Sequence, residues 1–250
     1  FSTLRTALGV PTPKQVKRVT GMYLAQNVAV KVTEGKGRSL RFSLLSDGTW
    51  ERQPGRYVRR AGGAFWATKN PGQSIRLVKA WDRTYLVSRA IGGTGTFRAQ
   101  ATIGQRVRPG GSLSPVWRNR VGSQWLLANE DPSSIFWSFG GPPSVEIADI
   151  PGLSGYLLAR GALVDSVPFD AMTSDSFGSM FVEVPLMTGR DMYDFEFSQR
   201  DGQEYLRFSS SLLQSAATVA RHAAGRTAPT GGAAGQVAWR RVPSDSNVTV

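Results

Sequence analysis

The run Met192-Tyr193-Asp194-Phe195-Glu196-Phe197-Ser198, then Asp201-Gly202, then Gln203-Glu204-Tyr205-Leu206-Arg207-Phe208, decides the fold class. Apolar and polar residues alternate with a period of two, which places Tyr193, Phe195 and Phe197 on one strand face and Asp194 and Glu196 on the other. Asp-Gly supplies the left-handed backbone that a two-residue hairpin loop needs, so the chain returns as an antiparallel pair. The aromatic face is expected to point inward and the two carboxylates into water.

The same alternation recurs at Val28-Ala29-Val30-Lys31-Val32, Leu40-Arg41-Phe42-Ser43-Leu44, Ser74-Ile75-Arg76-Leu77-Val78, Thr84-Tyr85-Leu86-Val87-Ser88 and Gln236-Val237-Ala238-Trp239-Arg240. Asp47-Gly48, Gly62-Gly63, Asn70-Pro71-Gly72 and Gly92-Gly93 stand between runs at the spacing of an antiparallel meander. Helix signals are few. Thr12-Pro13 is placed to cap a turn beginning at Lys14, Ser211 to Ala224 has helical composition before Gly225, and a flexible loop at 227–235 follows. The expectation is an all-β chain of two antiparallel up-and-down barrels in tandem, each of about eight short strands, because closure hides sheet edges.

A Gly/Pro-rich break, Arg108-Pro109-Gly110-Gly111 to Pro115, coincides with a change of charge sign. Residues 1–120 carry 22 Lys and Arg against 4 Asp and Glu, whereas 121–250 carry 8 against 14. The expected organisation is an N-terminal linker or helical turn at 1–18, a basic barrel at 19–108, a linker at 109–116, an acidic barrel at 117–243 and a tail at 244–250. A weak echo pairs Gly21-Met22-Tyr23 with Gly155-Tyr156 and Tyr85-Leu86 with Tyr205-Leu206, without amounting to a duplication.

Composition excludes much chemistry. There is no cysteine, hence no disulfide, thiolate nucleophile or Cys-based zinc site, and one histidine, His222, which reads as a structural residue near a helix end. No apolar run reaches the roughly 18 residues of a transmembrane helix. No serine has lysine three residues on, and Gly-x-Ser-x-Gly is missing. The chain starts at Phe1 without methionine and is expected to be a processed product or a piece of something longer. No cofactor or metal is expected.

Some loops and faces stand out as candidate sites. Arg190-Asp191 follows Gly189 at a strand entrance, where the pair can reach a neighbour, and Asn70 lies in a turn. Arg59, Arg60 and Trp66 lie where basic and aromatic residues interleave, as an oligonucleotide-binding surface requires, but Tyr57 and Val58 cannot both project from one strand face. A barrel with apolar residues inside and arginines outside accounts for that pattern more simply than nucleic-acid binding. Seven tryptophans permit a ligand-holding interior, although aromatics fill small barrels equally well without one.

Ile150-Pro-Gly-Leu-Ser-Gly-Tyr156, Val184-Pro-Leu-Met-Thr-Gly-Arg190-Asp191, Arg200-Asp-Gly-Gln-Glu-Tyr-Leu-Arg207 and Val237-Ala-Trp-Arg-Arg-Val242 together resemble the region following the catalytic domain in some bacterial β-lactamase-related (penicillin-binding-protein-like) serine hydrolases and D-aminopeptidases. Leu8-Gly-Val-Pro-Thr-Pro13 leading to Gly21-Met-Tyr23 looks like the junction into their lipocalin-like barrel. The resemblance implies a periplasmic or secreted accessory region without catalytic residues, partnered by an upstream serine hydrolase domain of the same polypeptide. The role of narrowing its substrate choice would suit the Gly189-Arg190-Asp191 or the Asn70-Pro71-Gly72 loop. The alternative is a free-standing binding module, for a small apolar ligand inside a barrel or a polyanion on residues 1–120. A carboxylate-only enzyme has no supporting pair beyond Asp191 and its neighbours.

Overall fold

A computed structural model describes residues 13–25, 28–60, 63–70, 72–80, 82–92, 97–127, 144–161, 164–181, 194–200, 202–208 and 237–241. Among them, residues up to Arg108 form one compact unit and residues from Pro109 onward a second. The chain is all-β, as the alternation predicts.

The first unit opens with helix α1 (Pro13–Val19), whose Pro13 takes a helix-start position where its missing N–H costs nothing. Strands β1 (Gly21–Ala25), β2 (Val28–Gly35), β3 (Ser39–Ser46), β4 (Thr49–Arg52), β5 (Tyr57–Arg59), β6 (Phe65–Ala67), β7 (Gln73–Ala80), β8 (Arg83–Gly92) and β9 (Phe97–Val107) follow. They form a nine-stranded antiparallel sheet in the order β2-β1-β9-β8-β7-β6-β5-β3-β4, and β2 also pairs with β3, so the sheet curls back on itself. Inward residues Tyr23, Val30, Val32, Leu40, Phe65, Ile75 and Leu86 build its core, onto which α1 packs Val16 and Val19. Residues 13–18, expected as part of a linker or helical turn, form a helical turn that belongs to this unit.

The second unit opens with helix α2 (Pro115–Arg120) and continues through β10 (Gln124–Leu127), β11 (Ser144–Asp149), β12 (Tyr156–Gly161), β13 (Val164–Asp170), β14 (Phe177–Met180), β15 (Asp194–Arg200), β16 (Gln203–Phe208) and β17 (Val237–Arg241). These eight strands close into an antiparallel barrel. Of the two barrels expected, this one is present as a closed barrel, and the other unit is the curled sheet with β4 added at its edge. The deciding hairpin is β15–β16, with Arg200 opposite Gln203 and Gly202 at φ 74. Phe197 points into the core as expected, while the side chains of Tyr193, Asp194, Phe195 and Glu196 lie outside the described residues, as does 211–224.

Residues 109–116 do not behave as a linker. Gly110 N–H donates to Ser154 O at 2.8 Å, the Ser154 hydroxyl donates back to Gly110 O at 3.1 Å, and Leu113 packs on the second core. Pro115, read as a break, is the start of α2, capped by Ser114 Oγ, which accepts from Trp117 N–H at 3.2 Å.

The two helix-to-strand openings are one pattern at a constant offset of 102 positions: Thr12-Pro13, Arg18-Val19 and Tyr23-Leu24 correspond to Ser114-Pro115, Arg120-Val121 and Trp125-Leu126. In each unit the first strand's aromatic residue lies opposite an arginine of the last strand, Tyr23 opposite Arg106 and Trp125 opposite Arg241. Of the echo read from sequence, Gly155-Tyr156 stands at the start of β12, the third strand of its unit, whereas Tyr85-Leu86 and Tyr205-Leu206 both lie on the strand before the last, with Leu86 and Leu206 buried.

Candidate functional site

The most organised polar groups among the described residues sit where each helix meets its sheet. In the first unit, Arg106 donates from Nη1 to Arg18 O and from Nη2 to Thr20 O, both at 2.8 Å. It thereby satisfies carbonyls at the end of α1 that have no partner within the helix. Tyr23 is fully buried and its hydroxyl donates to Val19 O at 2.6 Å. Burial pushes its phenol up to about 12, and the Arg106 guanidinium draws it part of the way back.

In the second unit the arginine comes from the helix itself. Arg120, with only 5% of its side chain exposed, donates from Nη2 to Glu204 Oε1 at 2.6 Å, from Nε to the same oxygen at 2.9 Å and from Nη1 to Asp175 O at 2.6 Å. Its guanidinium lies over Phe197 at 3.9 Å and beside Trp117 at 4.6 Å from the ring centroids. Trp117 donates from Nε1 to Ser174 O at 2.7 Å and meets Phe197 edge-on, with centroids 4.9 Å apart. Trp125 contacts Phe197 in the same manner, so aromatic rings fill this part of the core. Each charged atom here faces a protein partner, and the arrangement is a latch between α2, the β13–β14 connection and β16. Sequence reasoning missed it; the available signal was Ser-Pro before Trp117, the same start that Thr12-Pro13 gives α1.

The residues singled out from sequence are only partly brought together. Arg60 sets its guanidinium 5.7 Å from the Trp66 ring centroid, and Arg59 is half-buried on β5 opposite Phe65. Asn70 lies at the other end of β6, where its Oδ1 accepts from Gly72 N–H at 3.3 Å and its backbone O from Gln73 N–H at 2.9 Å. Those bonds shape its own turn. Arg190, Asp191 and His222 lie outside the described residues.

Two tyrosines are perturbed away from these latches. Burial raises Tyr57, which packs on Phe42, and burial with the Asp170 carboxylate raises Tyr156. Both phenols are therefore neutral at pH 7. Among the described residues no group of His, Asp or Glu has the grouping to hold a metal ion, and no helix is long and apolar enough to cross a membrane. No family model matches the chain, and neither a curated protein nor a solved structure is similar to it.

Proposed function

We propose that this chain is a non-catalytic accessory region of a β-lactamase-related serine hydrolase, periplasmic or secreted. In this reading it stabilises an upstream catalytic domain and narrows access to it. The observation that carries the reading is how the arginines beside each helix are spent. Arg106, half-buried, and Arg120, buried, are both committed to holding a helix onto its own sheet. The residue complement agrees, since the chain has no cysteine, a single histidine and no Ser-x-x-Lys. Substrate selection then belongs to the Arg190-Asp191 loop rather than to Asn70, whose side chain is occupied within its turn.

The test is the coding sequence upstream of Phe1. A Ser-x-x-Lys followed by Tyr-x-Asn in the same frame is expected; a start codon or signal peptide directly before Phe1 overturns the reading. In the intact enzyme, Arg190→Ala is expected to change the relative kcat/KM of substrates that differ in size. Unchanged ratios would remove the loop from substrate selection.

A further inference from the structure

Residues 109–113, the strap with which the second unit begins, lie against the turn at 150–155. Gly110 makes two hydrogen bonds there, donating its N–H to the Ser154 carbonyl and accepting from the Ser154 hydroxyl. Gly155 O accepts from Ala171 N–H at 3.1 Å, which brings the start of the β13–β14 connection to the same place. The next residue, Met172, donates its N–H to Asp170 Oδ1 at 2.8 Å and sets its side chain against both glycines. A Cβ on Gly110 would overlap Met172 Sδ and stand 2.7 Å from its Cε, and a Cβ on Gly155 would overlap the same sulfur and stand 2.9 Å from its Cγ. Two glycines from separate stretches of chain thus leave a slot that the thioether occupies.

Met172 is nevertheless 40% exposed, so the residue is packed on one side and open to water on another. Among side chains, thioethers stand next to thiolates in their reactivity with peroxides, and the chain has no cysteine to react first. Oxidation turns this flexible apolar group into a polar one with an added oxygen. The slot is ill suited to that product. Gly110 N–H is already committed to Ser154 O, and that carbonyl borders the slot, 3.3 Å from where a Gly110 Cβ would stand. A carbonyl oxygen has no proton to donate to the new S–O group and repels it.

We propose that Met172 is an oxidation site for peroxides, and that its sulfoxide releases the 109–113 strap from the 150–155 turn. With hydrogen peroxide, a sulfur lone pair attacks one oxygen, and the S–O bond forms as the O–O bond breaks. The departing hydroxide takes the proton of the transferred oxygen and leaves as water, so sulfur is oxidised by two electrons and the peroxide reduced by two. The polar product turns out of the slot into water, and the strap loses the packing that covers its bonds to Ser154. The rest of the β13–β14 connection still holds α2, because Ser174 O and Asp175 O accept from Trp117 and Arg120. The release is therefore local, and methionine sulfoxide reductases reverse it. Nothing in it depends on an upstream catalytic domain.

The test is hydrogen exchange of the full chain, read by mass spectrometry before and after hydrogen peroxide, with peptide mapping of each methionine. Met172 is expected to become the sulfoxide and the strap amides, Gly110 among them, to exchange about tenfold faster, while a peptide across β11 stays within about twofold. Methionine sulfoxide reductases of both epimer specificities are expected to restore slow exchange. Met172→Leu fills the slot with a side chain of similar volume that peroxide does not oxidise, so its strap is expected to stay slow after treatment. Met172→Gln places a polar group there and is expected to exchange fast without any peroxide. A Met172 that stays a thioether while N-acetylmethionine in the same solution is oxidised overturns the proposal, and so does a Met172 sulfoxide with unchanged exchange at the strap. Equal acceleration in peroxide-treated Met172→Leu assigns the effect to another methionine and overturns it too. Recovery needs no variant: a wild-type chain whose Met172 has been reduced again but whose strap still exchanges fast is a further overturning result.

Discussion

Arg120 shows how one residue can hold an element without doing chemistry. Its charge is buried against the Trp117 and Phe197 rings, and among the described residues Glu204 and the Asp175 carbonyl accept its hydrogen bonds and offset the loss of water around it. Removing one partner leaves the other charge buried and alone, so Arg120→Ala is expected to cost about 3–5 kcal/mol in denaturant titrations. Replacing both, as Arg120→Met with Glu204→Leu, removes the desolvation cost along with the attraction and should cost only the Asp175 carbonyl bond, about 1 kcal/mol. A double variant as unstable as the single one would show that the pair does more than balance its own burial. Tyr23 gives a second test at this scale. Its folded pKa of about 12 lies above the ordinary value of 10.0, so the unfolded chain ionises first as pH rises. The contribution is fully present below pH 10 and lost as pH climbs towards 12, amounting to about 2 kcal/mol there. Tyr23→Phe gives up the bond to Val19 O, so it is expected to be less stable than wild type by about 1 kcal/mol at pH 8. The same variant should have closed or reversed that gap at pH 12, and a constant gap across the range would assign the alkaline loss to other groups.

At the scale of elements, strands were legible wherever one face is buried and the other wet. Val28–Val32, Leu40–Leu44, Ser74–Val78 and Thr84–Ser88 all lie within strands, because half-burial imposes the period of two that the sequence displays. Asp47-Gly48 turns as expected, with both residues at positive φ, whereas Asp82, at φ 61 between β7 and β8, turns the chain without a glycine to announce it. Helix α2 was hidden for a physical reason: proline ends a helix from inside but opens one from its first turn, and its neighbours Gly110 and Gly111 favoured the first interpretation. The Arg120 latch was hidden because its members are brought together by folding from positions 120, 175 and 204. Gly104 carries a prediction about an element pair. A Cβ there would stand 3.0 Å from Leu24 O and 3.1 Å from Leu24 N, both backbone atoms of β1 that cannot swing aside. Gly104→Ala is therefore expected to push β9 from β1 and destabilise the first unit by about 1–3 kcal/mol, read from denaturation midpoints. A wild-type midpoint would mean that the strands part without cost.

For the whole molecule, the offset repeat and the two hydrophobic clusters make the same point. Each unit carries its own opening helix, its own aromatic residue on the first strand and a core that shares no residue with the other. Their charges differ as sharply, with nineteen Lys and Arg against four Asp and Glu from 13 to 108, and ten against fourteen from 109 onward. Self-repulsion weakens a compact state of such high positive charge, and screening relieves it, so added salt should protect the first unit more than the second. Separate cores also predict separate opening. In hydrogen exchange under mild denaturant, Arg120→Ala is expected to accelerate exchange across β10 to β16 and leave β1 to β9 near wild type, and Gly104→Ala to do the reverse. If either substitution speeds exchange in both sets of strands alike, the units unfold as one cooperative body and the stability of each depends on the other. If the effects stay apart, each repeat carries enough buried apolar surface to fold on its own helix and sheet, and selection has been free to alter their charges separately.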